Sequence, residues 1–385
     1  MSTYQAFSSY MGDRAAIASL GGFGPPLPFP LPGIFLSGEC SDSETPKARL
    51  DRLFEIEKQV DSRQESPQTV LITGANGFVG RNLCAHLVAR KWHVVAAVRD
   101  PGTLVRLGVQ VEQLTLSEKP ERWQIALRSV SCVVHLAARV HVMRKTSGDD
   151  AELFAAVNVA GAAFVAQQAV EAGVKRFVML SSVKVNGEGG PAAIYHAEDA
   201  PKPQDAYSQS KLAGEIAVRD VCFPGQVEQV IVRPPLVYGP GVGANMKRLM
   251  RLVELEVPLP FLSIRNRRSL VSVENLADFV ETCMKHPGAA NKVWLVSDGE
   301  DLSTPELIVK LAHAMGKRPR LFSTSPKFLR GLAKLAGLGE ELQRLCESLR
   351  VDITPAHSTL NWRPPLGVDE GIARMVDAYR ADRSC

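Results

Sequence analysis

The chain has 385 residues, 45% of them hydrophobic and 22% charged, enough apolar content to bury a sizeable core in one large or two modest domains. Its 45 Lys and Arg against 41 Asp and Glu leave a formal charge of +4, and the basic residues are scattered apart from Arg265, Arg267 and Arg268, so there is no nucleic-acid footprint. Cys40, Cys84, Cys132, Cys222, Cys283, Cys346 and Cys385 lie far apart without CxxC or Cys/His spacing, which argues for reduced thiols in a cytoplasm and against structural disulfides or a metal site.

Residues 1–66 are rich in Ser, Gly and Pro, with GGFGPPLPFPLPGIF from Gly21 to Phe35 and then a charged run through Asp61. No hydrophobic period holds this stretch together, so a disordered extension is expected. Its apolar part is too short and too broken by proline for a membrane span, and it lacks the basic region and small-residue cleavage site of a secretory signal. A hypothesis is that translation starts later, near Gln68; an intact mass that includes residues 1–60 would refute it.

From Gln68 onward, short apolar runs alternate with amphipathic stretches. Strands are predicted at Thr69–Thr73, His93–Val98, Cys132–Leu136, Arg176–Leu180 and Gln229–Val232, and helices most clearly at Phe78–Ala89, Ala151–Ala172 and Tyr207–Cys222. Repeated strand-helix-strand units imply right-handed crossovers and an α/β, doubly wound parallel sheet that holds ligands at the carboxyl ends of its strands. The dinucleotide-binding core is expected in 67–233. After about Arg233 the alternation loosens into Pro-rich connections and shorter helices, predicting a smaller C-terminal lobe in 234–385 that interleaves with the core.

Val70 to Gly80 reads VLITGANGFVG, a buried strand running into glycines three apart and then a helix. Gly74 and Gly77 let backbone approach a pyrophosphate, Gly80 lets the helix pack on the strand, and the helix's free amides favour the phosphates' charge. Asn76, Phe78 and Val79 complete this candidate cradle. Alone, such a triplet is as often a plain glycine turn; the flanking strand and helix, with a second strand at the right distance, make dinucleotide binding the stronger reading. Where an acid ordinarily accepts the adenosine ribose hydroxyls, the chain has Val98-Arg99-Asp100. A guanidinium at Arg99 suits a 2′-phosphate and favours NADP(H); Asp100 keeps NAD(H) open, and a solvated Arg-Asp turn is the plainer alternative.

Ser181 and Ser182 close the strand at Arg176–Leu180, and Tyr207-Ser208-Gln209-Ser210-Lys211 opens the third predicted helix. Tyr207 and Lys211 are four apart and share a helix face, where the ammonium is expected to lower the phenol from its reference pKa of about 10. The phenol then serves as acid or base, and Ser182 hydrogen-bonds the same substrate oxygen. A lone YxxxK on a helix is usually plain surface; joined to the glycine loop and a strand-end serine, it points to chemistry.

These motifs, with HLAA (His135 to Ala138), SSVKVNG (Ser181 to Gly187) and RPPLVYGPG (Arg233 to Gly241), resemble the extended short-chain dehydrogenases over roughly residues 68–380. The resemblance implies a Rossmann core, with Ser182, Tyr207 and Lys211 as the catalytic set. Ser182 is chosen over Ser181 because Gly187 follows it by five positions, as in the family's strand-end motif. It also implies cofactor contacts at Leu136, Ala137, Ala138 and Pro234, support of the strand-end loops by Asn158, and a loop at Tyr238 and Gly239 leading into a sugar-nucleotide pocket. Ordinary packing is nearly as good a reading of Ala137, Ala138 and Asn158. Asn245 and Arg268 are the candidates for UDP phosphates, with Arg267 or Arg265 able to replace Arg268, and Glu112 to Ser117 lacks the Asp that the family places near adenine.

Within the family, HVM, SSVKVNGE, RPPLVYGPGV, NRRSLVSVENL and LVSDGEDLSTPEL most resemble bacterial lipopolysaccharide O-antigen enzymes that reduce UDP-4-keto-6-deoxy-N-acetylhexosamine, often labelled UDP-glucose 4-epimerases. The resemblance thus implies a cytoplasmic NAD(P)H-dependent 4-keto reductase. A UDP-hexose 4-epimerase is the alternative, and a non-catalytic dinucleotide-binding protein a remote third that the retained Ser, Tyr and Lys disfavour. A 4,6-dehydratase fits less well, because Val183-Lys184 stands where dehydratases carry Asp-Glu. A homodimer follows from the resemblance alone, and neither nucleic-acid binding nor membrane insertion is expected.

Overall fold

The computed structural model describes residues 68–99, 109–115, 118–140, 150–190, 193–325 and 346–384. The expected extension at 1–66, Asp100, and Leu116 and Ser117 of the adenine-side stretch lie outside the described residues.

In chain order, Thr69–Thr73 (β1) leads to Phe78–Ala89 (α1), His93–Val98 (β2), Gln110–Gln113 (β3), Pro120–Ala126 (α2) and Cys132–His135 (β4). Asp150–Phe154 (α3) runs through a π-helical stretch, Ala155–Ala160, into Gly161–Glu171 (α4), and then come Arg176–Leu180 (β5), Ile194–Tyr195 (β6) and Ala206–Cys222 (α5). Glu228–Arg233 (β7), Leu236–Tyr238 (β8), Ala244–Glu254 (α6), Arg268–Ser272 (β9), Val273–Lys285 (α7) and Lys292–Leu295 (β10) follow. Asp301–Leu302 (β11), Thr304–Ala314 (α8), Arg350–Val351 (β12), Thr354–Leu360 (α9) and Val368–Ser384 (α10) complete the series.

Seven strands form one parallel sheet in the order β10-β7-β5-β4-β1-β2-β3. The chain winds outward in both directions from the β1–β4 neighbours, so the carboxyl ends of those two strands flank the crevice where a doubly wound sheet takes its ligand. Strand residues alternate between two cores because successive side chains point to opposite faces. Val70, Ile72, Val134, Val178 and Val232 pack on the side of α1 and α7, while Leu71, Val133, Phe177 and Ile231 pack on the side of α4 and α5. β10 and α7 come from beyond Arg233 yet join this layer, so the sheet is closed by residues of the C-terminal half. A smaller sheet, β11-β9-β8, carries α6, α8 and α10 around a third core that includes Met250, Leu311 and Val376.

The stretch Ala151–Glu171 is long and apolar enough to cross a membrane, with a mean hydropathy of 1.6. Here it covers the sheet: Ala162, Val165, Ala166 and Ala169 are buried against Leu71, Val133 and Phe177. Its predicted uniform helix is interrupted by the π-helical stretch at Asn158, against which α5 passes so closely that a Cβ on Gly214 would lie 2.2 Å from the Asn158 carbonyl oxygen.

The seam between α1 and α7 is ionic. His86 Nε2 lies 2.8 Å from Glu281, Trp92 and Lys285 donate to the other Glu281 oxygen at 3.1 and 2.6 Å, and Arg90 and Trp362 donate to the two oxygens of Asp278 at 3.0 and 2.8 Å. His86, Asp278 and Glu281 place one ligand atom each within 4.8 Å of one another, as a metal trio would. With all four carboxylate oxygens already engaged by donors, two of them on cationic side chains, the cluster reads as a helix clamp. Among the described residues, Cys84, Cys132, Cys222 and Cys283 are buried free thiols.

Candidate active site

The β1–α1 turn is built by steric necessity. Gly74 sits at φ +67, where L side chains are strained, and a Cβ there would fall 2.8 Å from the amide nitrogen of Ala137. Absence of that methyl lets the glycine loop press against Leu136–Ala138 at the end of β4. Thr73 Oγ1 joins the two, accepting from the Ala137 amide at 3.2 Å and pairing with His135 Nδ1 at 3.0 Å. A Cβ on Gly80 would lie 2.3 Å from the Gly74 carbonyl oxygen, so α1 approaches the turn as only glycine permits. The N-cap of α1 is Gly77, which has no side chain to cap with, and its first turn carries no acid. First-turn amides and the positive helix end therefore face the crevice, a cradle whose shape and charge fit a dinucleotide's pyrophosphate. Asn76 and Gly77 are exposed there, Phe78 and Val79 half-buried, and Arg99 is exposed at the carboxyl end of β2.

Ser182 ends the extended run of β5 and caps a short 3-10 turn, Val183–Val185, its Oγ accepting from the Lys184 amide at 3.3 Å. Pro234 is buried beside it, with its carbonyl accepting from the Val183 amide at 3.0 Å. Tyr207 is the second residue of α5, whose start is fixed by a capping box between Asp205 and Ser208. That helix start aims the phenol at Ser182, to which it is hydrogen-bonded, with its ring edge-on to Phe154 at 6.2 Å between centroids. One turn on, Lys211 is buried and donates to the Leu180 carbonyl at 2.7 Å. The structure thus gathers Ser182, Tyr207 and Lys211 at the end of β5, next to the β1–β4 crevice.

Burial reverses the shift of Tyr207 expected from the Tyr-Lys spacing. Tyr207 is pushed up to about 12, first by burial and then by the carboxylate of Asp205, against which the hydrogen bond with Ser182 is a partial offset. Lys211 is itself brought down to about 8 by burial, opposed by Glu215. Spacing counted one favourable charge and omitted desolvation, the larger effect in this setting. The phenol is protonated at neutral pH. His135 is held neutral, at about 3, by burial and by the nearby charge of Lys211.

Asn158 is buried and clamps the loop after β4: its Oδ1 accepts from the Arg139 amide at 2.8 Å, and its Nδ2 reaches the Arg139 carbonyl at 3.1 Å and Ser210 at 2.9 Å. Tyr238 is the last residue of β8. It is 1% exposed in the C-terminal core and donates to Asp298 at 2.7 Å, which braces the end of β8 from which the loop at Gly239 departs. Asn245 is exposed in the first turn of α6, and the half-buried Arg268 opens β9 with its guanidinium on the Glu347 carbonyl at 3.0 Å. Arg267 pairs with Glu306 at 2.8 Å, and Arg265 is exposed.

Two groups of residues went unread in the sequence. Lys184 bridges Glu188 at 2.9 Å and Asp205 at 2.5 Å, tying the Ser182 turn to the start of α5. Behind them Glu215 and Arg233 form a buried ion pair at 2.6 Å. The available signal was Glu215 itself, one further helical turn beyond Lys211.

A parallel sheet wound from β1, a glycine cradle and a Ser-Tyr-Lys constellation define a dinucleotide-binding Rossmann protein of the short-chain dehydrogenase type. The chain belongs to the NAD dependent epimerase/dehydratase family, which it matches over residues 70–297. It is 41% identical over 324 residues to the UDP-glucose 4-epimerase of Vibrio cholerae, covering 82% of this chain and 97% of that one. It is 30% identical over 331 residues to the ceramide reductase of Caulobacter vibrioides, covering 81% and 94%. Among solved structures, the UDP-glucuronic acid 4-epimerase of Bacillus cereus in complex with NAD superposes with a TM-score of 0.66 at 20% identity, covering 82% of this chain and 99% of that one. MoeE5 in complex with UDP-glucuronic acid and NAD does so at 0.65 and 25% identity, covering 82% and 99%.

Proposed function

We propose that this protein is an NAD(P)H-dependent reductase of the C4 ketone of a UDP-4-keto-6-deoxy-N-acetylhexosamine, with residues 67–233 as the dinucleotide lobe and 234–385 mainly as the sugar-nucleotide lobe. The observation that carries the reading is Tyr207 hydrogen-bonded to Ser182, with Lys211 one turn on and held at the end of β5, beside the glycine cradle. A reduced nicotinamide dinucleotide, when bound, supplies the hydride that reduces C4. Ser182 donates to the sugar carbonyl oxygen and polarises it. Tyr207 passes its proton to that oxygen as negative charge develops, and the Lys211 ammonium stabilises the phenolate left behind while holding the nicotinamide ribose.

Gly74, Asn76, Gly77, Phe78, Val79 and Gly80 would hold the pyrophosphate, and Leu136, Ala137, Ala138 and Pro234 the rest of the dinucleotide. Arg99 at the end of β2 favours NADP(H) over NAD(H) in this reading. Asn245 and Arg268 would take the UDP phosphates. Assembly as a homodimer, a cytoplasmic setting and a role in lipopolysaccharide O-antigen synthesis belong to the same proposal.

The 41% identical relative named UDP-glucose 4-epimerase supports a second reading, epimerisation of a UDP-hexose at C4. Incubation with a UDP-4-keto-6-deoxy sugar and NADPH or NADH separates them. Stoichiometric loss of absorbance at the reduced-nicotinamide band with formation of the 4-hydroxy sugar is expected; interconversion of UDP-hexoses without net nucleotide consumption would replace the reductase reading with the epimerase.

A further inference from the structure

We infer that Glu215 is a positioning residue that orients the Ser182 turn from one buried point, through Ser181, Arg233 and Asn186, and stands one helical turn from the Lys211 ammonium. The inference rests on the proposed roles of Ser182, Tyr207 and Lys211.

Glu215 is fully buried on α5, and Arg233, at the end of β7, is 3% exposed. The Glu215 oxygens are taken up in a fixed pattern. Oε1 accepts from the Ser181 hydroxyl and from Arg233 Nε at 2.9 Å, and Oε2 accepts from Arg233 Nη2 at 2.6 Å. The remaining guanidinium nitrogen, Nη1, donates to Asn186 Oδ1 at 3.1 Å, and Asn186 Nδ2 donates to the His196 carbonyl at 2.9 Å. Ser181 and Asn186 flank the turn that carries Ser182, so both ends of that turn are tied to one carboxylate. Backbone bonds complete the hold, from Ser181 to Val232 at 2.7 Å and from Val183 to Pro234 at 3.0 Å.

Stability alone does not account for such a pair. Two charges taken fully out of water recover little more than their desolvation cost, and apolar side chains of similar volume often serve at least as well. What apolar side chains cannot supply is direction. The bidentate fork fixes the plane of Arg233, and that plane fixes where Asn186 and the turn must sit. Lys211 belongs to the same arrangement, since its ammonium donates to the carbonyl of Leu180, the residue before Ser181. The groups coupled to it are Glu215 on its own helix and His135 from β4, with Arg233 of β7 held on Glu215. Of these, the Glu215 carboxylate is the one that favours the ammonium against burial.

The test compares full-length wild type with Glu215→Gln, Glu215→Asp and Asn186→Ala. Glu215→Gln is expected to lower kcat by about 30-fold or more while KM and the dinucleotide Kd stay within about threefold, because orientation rather than binding is lost. The alkaline limb of its kcat profile moves to lower pH, and Glu215→Asp, which keeps the charge, restores that limb. Asn186→Ala lowers kcat without moving the limb. By hydrogen exchange, amides of residues 181–187 open about tenfold faster in Glu215→Gln and Asn186→Ala, with those of 69–80 unchanged. If Glu215→Gln exchanges fast everywhere it has unfolded, and Asn186→Ala and Glu215→Asp then decide. Unaltered exchange at 181–187 in Asn186→Ala and Glu215→Gln, or wild-type kcat with an unmoved limb in Glu215→Gln, overturns the inference. Should wild type turn over neither sugar class, the substrate reading falls, and the exchange measurements still judge Glu215.

Discussion

Adding one methyl group at Gly80 tests the cradle directly. In Gly80→Ala the new Cβ would lie 2.3 Å from the Gly74 carbonyl oxygen and 2.7 and 2.8 Å from the Ala75 backbone, where ordinary contact begins at 3.4 Å. About 1 Å of movement is needed, and the question is which element moves. Helix α1 is clamped to α7 through His86, Glu281, Arg90 and Asp278, so the displacement falls on the Gly74–Ala75 peptide. Overpacking of this kind costs about 1–3 kcal/mol. Spent on the loop that must meet a pyrophosphate, that energy raises the Kd for NADH or NADPH by about 5- to 140-fold, at 1.4 kcal/mol per decade. Nicotinamide fluorescence titration measures it, with Gly367→Ala, whose Cβ would meet nothing, as the neutral control. A Gly80→Ala protein that melts lower but binds within about twofold of wild type would refute the routing, since the strain would then sit in α1 rather than in the loop.

Four further outcomes follow. Tyr207→Phe removes the acid and lowers turnover by about 10²- to 10⁴-fold with dinucleotide affinity within about threefold; an undiminished rate sinks the acid role. With Lys211 at about 8, kcat/KM falls as pH rises through about 8 and the ammonium is lost, and a profile flat to pH ~10 contradicts this. Burial alone would raise Glu281, but hydrogen bonds from His86, Lys285 and Trp92 hold it at about 2. Its stabilisation, about 3 kcal/mol, is therefore complete above its ordinary 4.5 and lost as pH falls toward about 2. Urea midpoints of wild type and Glu281→Gln should converge across that window, and a constant gap counts against the clamp. Arg99→Ala should weaken NADPH by about tenfold or more and leave NADH nearly unchanged, and equal losses for both remove Arg99 from the 2′-phosphate.

The sheet was legible because its strands are apolar runs of the right length. β1, β2, β5 and α1 fall on the predicted boundaries, since β1 is buried on both faces and α1 is bounded by glycine and a turn. β10 was not legible: Lys292–Leu295 is four residues long and follows a helix that the sequence assigned to the other lobe, and only pairing with β7 makes it a strand. Local spacing does place Tyr207 and Lys211 on one helix face. It carries no information about the distance from α5 to Ser182, which the capping box at Asp205 sets, nor about how deeply either group is buried. The expectation that Tyr207 titrates low failed on that depth.

The depth of Tyr207 also bears on how its proton is held in the proposed chemistry. Reduction at C4 consumes a proton, and a phenol at about 12 stands ready to give one at neutral pH. Epimerisation, the second reading, takes a proton from the C4 hydroxyl and later returns it, so its first half needs the phenolate that burial and Asp205 disfavour. Lys211 and the cationic ring of an oxidised nicotinamide, when bound, would favour that phenolate. Asp205 works against it, being itself ionised and held in place by Lys184 and Ser208, so the helix cap that aims the phenol also keeps it protonated.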